Sequence, residues 1–232
     1  MAAAAHRAGR DLDDMHLMAV SKTFPAEAIR KAYDAGVRLF GENRVQEFAE
    51  KAPALHDLLP SPSASRGLEG DTARVHLIGH LQTNKAARAA ELFHGVDSLD
   101  SLRLAEKLDA AAEKLARTLD VLIEINVGGE AQKTGVAPDS AELERLLAAA
   151  PQLAHLRIRG LMTIPPWSDD PQASRPYFRK LRGVRDRIAA QKLPATEMAE
   201  LSMGMSHDFE VAIEEGATCV RVGTAIFGAR KT

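Results

Sequence analysis

The chain is nearly devoid of cysteine: Cys219 stands alone among 232 residues and has no partner for an intramolecular disulfide. No Cys/His spacing resembles a zinc site either, and the two absences together point to a reducing, cytoplasmic setting without a structural metal. Cys219 itself reads as a core residue. No apolar stretch approaches a membrane span. The start, MAAAAHRAGRDLDDM, carries an alanine run that Asp11, Asp13 and Asp14 soon follow, which speaks against a secretory signal. A formal net charge of -2 leaves no basic surface for nucleic acid, and 45% apolar with 27% charged residues excludes disorder. The expected partner is a small molecule. Also missing are a Gly-x-Gly-x-x-Gly after an early strand and a Gly-x4-Gly-Lys-Ser/Thr, so dinucleotide-binding and P-loop readings lack their phosphate cradles.

What the chain has is a regular alternation of short apolar runs with helical patterns. The runs are HLMAVS at 16–21, VRLFG at 37–41, VHLIG at 75–79, GVDS at 95–98, DVLIEINV at 120–127, LRIRGLMTI at 156–164, ELSMG at 200–204 and CVRVG at 219–223. Helices are expected between them, among them SLRLAEKLDAAAEKLA, a segment near 139–149, RPYFRKLRGVRDRIAA and HDFEVAIEEG. Eight strands in so short a chain suit a closed parallel sheet, which leaves no edge, better than an open one. The expected fold is α/β, a single (β/α)8 TIM barrel forming one domain over residues 1–232. The Pro, Ser and Gly-rich segment 58–74, LLPSPSASRGLEGDTAR, lacks periodicity and is expected to be a mobile surface loop.

Sites of such barrels lie at the C-terminal ends of the strands. The residues that follow the runs are polar: Ser21, Lys22 and Thr23, then Glu42, Asn43 and Arg44, His80 and Gln82, Asn126, and Thr163. Lys22 reads in two ways. It is a solvated lysine or half of an ion pair with Glu42, or it is an amine desolvated by the barrel walls and available for Schiff-base chemistry with a carbonyl. SMGMS and GTAIFG at the ends of strands seven and eight bear on the choice, because the loops there recurrently bind phosphate. Ser206 is expected to open a helix whose N–H groups face the rim, Thr224 to open a short turn, and Gly204 and Gly223 to admit phosphate oxygens. The competing reading makes Ser206 a simple helix cap and Asp208 a rival of any bound anion. Alternation in CVRVG turns Cys219, Arg221 and Gly223 inward and Val220 and Val222 toward the helices. Arg221 is then a ligand contact or part of an interior ion pair, for which Glu124, with Arg159 as another partner, is the candidate.

AVSKTFP at 19–25, FGENRVQE at 40–47, HLIGHLQTNK at 76–85, GLMTI at 160–164, LSMGMSHDFEVAI at 201–213 and VRVGTAIFG at 220–228 resemble, in this order, the pyridoxal phosphate homeostasis protein family. The resemblance spans Ala19 to Gly228 and implies an alanine-racemase-like barrel (PLP fold type III) that binds pyridoxal 5′-phosphate (PLP). It implies that Lys22 holds PLP as an internal aldimine and that Arg221 faces the pyridine nitrogen. Asn43 becomes a ring-side contact, and Ser202, Gly204, Ser206, Gly223 and Thr224 become phosphate-loop residues; no metal is implied. An arginine at the ring nitrogen donates a hydrogen bond and discourages ring protonation, so the cofactor becomes a weak electron sink. Fewer residues precede Lys22 than the family usually has, so the N-terminal helix is expected to be shortened or mis-started, and Val75 stands where the family commonly has Trp. His80, Gln82 and Lys85 also fall on a family motif and are assigned no catalytic role.

Racemases on this barrel add a β-rich domain with a tyrosine base; the chain ends four residues after Gly228, and that domain is expected to be absent. Tyr33 and Tyr177, the only tyrosines, fall in predicted helices outside the barrel. The expectation is a monomeric, non-enzymatic carrier that supplies or buffers PLP in cytoplasmic vitamin B6 homeostasis and hands it to PLP-dependent apoenzymes. The alternatives are a weak PLP-dependent amino-acid racemase and, last, a lysine-dependent aldolase of phosphorylated sugars.

Overall fold

The eight apolar runs form eight parallel strands: β1 (His16–Val20), β2 (Leu39–Glu42), β3 (Arg74–Leu77), β4 (Gly95–Leu99), β5 (Leu119–Glu124), β6 (Leu156–Met162), β7 (Thr196–Met205) and β8 (Cys219–Val222). Each pairs with its successor, and β8 pairs back onto β1, so the sheet closes into a barrel. The structure is a computed structural model that describes residues 1–59, 72–130 and 132–229. The segment 58–74 lies for the most part outside the described residues; at its stems, the Ala73 N–H donates to the Leu58 carbonyl at 2.8 Å.

Around the barrel run α1 (Ala2–Arg7), α2 (Ala26–Asp34), α3 (Val45–Lys51), α4 (Ala86–Leu92), α5 (Leu102–Lys114), α6 (Ala141–Ala149), α7 (Arg175–Ala190), α8 (Phe209–Glu214) and the single turn α9 (Thr224–Phe227). Sequence explains their placement. In α5 the buried residues Leu104, Ala105, Leu108, Ala111 and Ala112 recur at helical spacing, and the Ser101 hydroxyl caps the start by accepting from the Leu104 N–H at 3.3 Å. Ser140 does the same for α6 through the Leu143 N–H. In α7, Phe178, Leu181, Val184 and Ile188 make the inner stripe, and Pro176 sits in the first turn, where its missing N–H costs nothing.

The large core lies between the strands and the helix ring, while the barrel interior holds a separate apolar cluster of Met18, Val20, Leu39, Ile78 and Cys219. Cys219 thus faces inward and Val220 and Val222 face the helices, as strand alternation requires. The N-terminal helix, expected to be shortened, spans six residues and docks on α8. Ala4 and Ala5 are buried there, Arg7 pairs with Glu210 at 2.6 Å and Glu214 at 3.1 Å, and Arg10 donates to the carbonyls of Ile213 and Ala217.

Phe48 of α3 and Phe93 are fully buried, with ring centroids 5.0 Å apart, and knit neighbouring βα units. Truncation of Phe48 to alanine is expected to cost about 3–5 kcal/mol, from lost transfer energy plus the cavity left behind. Urea unfolding of wild type and Phe48→Ala measures this, and a difference below about 1 kcal/mol would contradict the packing described.

Candidate functional site

Closure of the barrel brings the two ends of the chain's pattern together. Met18 stands opposite Arg221 and Ala19 opposite Val222, so Val20 runs beside Gly223. Lys22, two residues beyond Val20 and half-buried, therefore shares the rim with the β8–α9 junction.

Arg221 is buried and points into the barrel. Its Nη1 donates to the Ser202 hydroxyl and its Nη2 to the Thr163 carbonyl, both at 2.8 Å. Burial draws the guanidinium below its ordinary value, against the pulls of Cys219, Asp97, Glu124 and Asp208. An arginine nonetheless keeps its proton and has five N–H donors, so two committed bonds leave three to offer. The expected pairing of Glu124 with an arginine is not what forms. Glu124 accepts from the Thr134 hydroxyl at 2.9 Å, while Arg159 pairs with Glu197 and with Glu200 of β7 at 3.1 Å. Burial raises the Glu124 carboxyl above its usual range, opposed by the Thr134 bond.

The two loops expected to hold an anion are adjacent, and their details differ from expectation. Ser206 does not open α8, which starts at Phe209. The intervening turn winds around buried Asp208, whose carboxylate accepts from the Met205 N–H at 2.7 Å and the Ser174 hydroxyl at 2.9 Å. Asp208 is thereby turned inward and is no rival of an anion at the rim. Ser206 instead bridges the loops, its hydroxyl accepting from the Gly223 N–H at 3.2 Å. Gly204 answers to packing: its φ is +90°, and a Cβ there would lie 2.4 Å from that of Ala212. Ser202 is wholly buried and engaged with Arg221. At Gly223 a Cβ would sit in ordinary van der Waals contact with Val20, 3.4 Å from its carbonyl oxygen and 3.5 Å from its Cβ, so the position is bordered by β1. Gly223 caps α9, and exposed Thr224 begins it, as expected of a turn start.

On the opposite side of Lys22, Glu42 ends β2 and is completely buried. Its Oε1 accepts from the Ser21 hydroxyl at 2.8 Å and from Lys51 Nζ at 2.9 Å. Lys51 also donates to Glu47 Oε1 at 2.7 Å and to the Ser21 carbonyl at 3.2 Å. Sequence reasoning singled out neither Glu47 nor Lys51, although an acidic and a basic residue at i and i+4 on a helix after a rim carboxylate were there to be read. Asn43 follows Glu42 and lies so close over Gly79 that a Cβ at 79 would fall 2.3 Å from its carbonyl oxygen. Asn43, Arg44, His80, Gln82 and Lys85 line a cavity of about 280 Å³, and His80 Nδ1 is 3.1 Å from Asp100 Oδ2.

A family model described as alanine racemase, N-terminal domain, matches residues 2–231. The pyridoxal phosphate homeostasis protein of Aquifex aeolicus is 47% identical over 228 residues, covering 98% of this chain and 92% of the relative. That of Escherichia coli K12 is 42% identical, covering 99% and 92%. The chain belongs to the pyridoxal phosphate homeostasis protein family. A solved relative, PipY of Synechococcus elongatus PCC7942 with PLP bound, is 39% identical with a TM-score of 0.80, covering 97% of each chain. An alanine racemase of Clostridium difficile 630, 15% identical with a TM-score of 0.68, covers 100% of this chain and 56% of its own, and shares the barrel fold. The family resemblance read from the motifs and the barrel read from strand counting therefore both hold.

Desolvation inside the barrel pushes the Cys219 thiol up to about 12. Since the thiolate is the reactive species, native protein at pH 8 is expected to leave a disulfide reagent unreacted and to consume one equivalent only when unfolded. Rapid titration of the native protein would contradict the interior placement of Cys219.

Proposed function

We propose that the chain is a reversible PLP carrier that holds the cofactor at the rim and supplies it to PLP-dependent apoenzymes, acting as a one-domain cytoplasmic monomer without a committed reaction of its own. The observation that carries this reading is the β1–β8 register, which sets the lysine after β1 beside Gly223 and the start of α9.

The residues present fit such a ligand. Lys22 supplies the primary amine. The first N–H groups of α9 have no intrahelical partner and, with Thr224 and the Ser206 hydroxyl, suit a phosphate. Gly223 leaves them accessible. Arg221 has N–H groups to spare for an acceptor such as the pyridine nitrogen, with Ser202 and the Thr163 carbonyl holding its plane in place. Asn43 flanks the ring position. When bound, PLP supplies an aldehyde that condenses reversibly with a primary amine. The relatives' name and the PLP-bound solved relative support the choice of ligand.

Two features favour a carrier over a racemase. An arginine facing the ring nitrogen offers a hydrogen bond and not a proton, which weakens carbanion stabilisation. Tyr33 lies in α2 with Arg38 stacked 4.1 Å over its ring, and Tyr177 lies in α7, so both phenols belong to the helix ring. None of the described helices is long and apolar enough to cross a membrane.

Loaded protein mixed with a PLP-dependent apoenzyme is expected to restore that enzyme's activity while racemising no amino acid itself, and Lys22→Ala is expected to deliver far less PLP per protein. Robust racemisation by wild type that disappears in Lys22→Ala would overturn the carrier reading in favour of an enzyme.

A further inference from the structure

Lys22 lies between two residues whose polar groups are tied to a neighbouring βα unit. On one side, the Ser21 hydroxyl donates to Glu42 Oε1 at 2.8 Å and the Ser21 carbonyl accepts from Lys51 Nζ at 3.2 Å. On the other, the Thr23 N–H donates to Glu47 Oε1 at 2.5 Å. Lys51 binds both carboxylates, Glu42 at 2.9 Å and Glu47 at 2.7 Å, and so joins the two sides. We propose that Glu42, Glu47 and Lys51 form a positioning clamp that fixes the backbone on both sides of Lys22 and so presents its amine to an aldehyde ligand. The inference rests on the reading of Lys22 as the amine that captures PLP.

Three observations separate a clamp from an incidental ion pair. The first is backbone strain: Thr23 has φ +70°, a left-handed conformation unfavourable for a β-branched residue, and such strain persists only where the surroundings over-determine it. The bond from the Thr23 N–H to Glu47 is one such constraint. The second is the cost of the carboxylate. Glu42 is fully buried, its Oε2 has no hydrogen-bond partner, and desolvation raises its pKa against the pull of Lys51. An apolar side chain would fill the place with no orphaned acceptor, so packing does not account for an acid here. The third is reach: the three clamp residues come from β2 and α3, yet their bonds converge on the two residues that flank Lys22. Sites that need an amine in one place depend on a shell that locks the residues beside it.

The test compares equilibrium binding of PLP with that of pyridoxine 5′-phosphate, which keeps ring and phosphate but has an alcohol in place of the aldehyde. Wild type is expected to prefer PLP. Lys51→Met and Glu47→Ala are expected to lose about tenfold or more in PLP affinity, the scale of a misplaced reacting group, with pyridoxine 5′-phosphate affinity changed less than about twofold. Lys51→Arg is expected to recover most of the loss. Glu47 is partly exposed, so its truncation spares the core. The double variant Lys51→Met/Glu42→Gln removes the buried carboxylate that Lys51→Met alone would strand, and is expected to show the same split. Equal loss for both ligands, or unchanged PLP affinity, in a wild type that does prefer PLP overturns the clamp alone. A wild type that binds both ligands equally overturns the reading of Lys22 and the clamp with it.

Discussion

The pairing of β1 with β8 is the constraint on which the rest depends. It joins Met18 to Arg221 and Ala19 to Val222, residues about two hundred positions apart in the chain, and it converts eight consecutive βα units into a closed surface with one polar end. Without it, the lysine after β1 and the short helix after β8 would lie at opposite edges of an open sheet. Closure also sets which side chains look inward. Arg221 enters the barrel because it alternates with Val220 and Val222, and these two are claimed by the helix ring.

The interior that results is layered. Met18, Val20, Leu39, Ile78 and Cys219 form an apolar plug. Level with Met18, Arg221 is held inside the barrel by Ser202 and the Thr163 carbonyl, while Glu42, on the helix-facing side of β2, is held by Ser21 and Lys51. Toward the strand starts lies a second polar set, in which Asp120 meets Arg74 and Arg157, and His76 meets Asp97 at 2.9 Å. Buried pairs of this kind add little net stability, because desolvation offsets their attraction. The apolar shell between strands and helices supplies the stability that lets the rim keep its polar residues.

Much of this was legible in the sequence. All eight strands announced themselves as apolar runs ending in polar residues, and α7 was read to the residue because Pro176 and the spacing from Phe178 to Ile188 mark it unambiguously. The start of β7 was not legible. Ile158 pairs with Thr196, but Gly160 pairs with Glu200, so the strand carries a bulge with Met198 at φ +47°, and a bulge breaks the period of two that pattern reading relies on. The start of α8 was misplaced at Ser206 because Asp208 takes up the Met205 N–H from three residues downstream, a bond no local pattern displays. At the site, Lys22, Arg221 and Gly223 were visible from position and alternation. Two of their supports were not, Glu47 and Lys51, which act through contacts set by tertiary packing; Thr163 was visible as a rim residue, but not the bond that its carbonyl accepts from Arg221. Gly204 was legible as a special position, yet its reason, contact with Ala212, needed coordinates.

The central claim is that Lys22 is the amine that holds PLP. Borohydride reduction of the PLP-loaded protein followed by peptide mapping tests it most directly, since reduction makes the attachment permanent at the residue that formed it. The account predicts a single phosphopyridoxyl group on the peptide containing Lys22. An adduct confined to other lysines, or none at all in protein that demonstrably binds PLP, would contradict it.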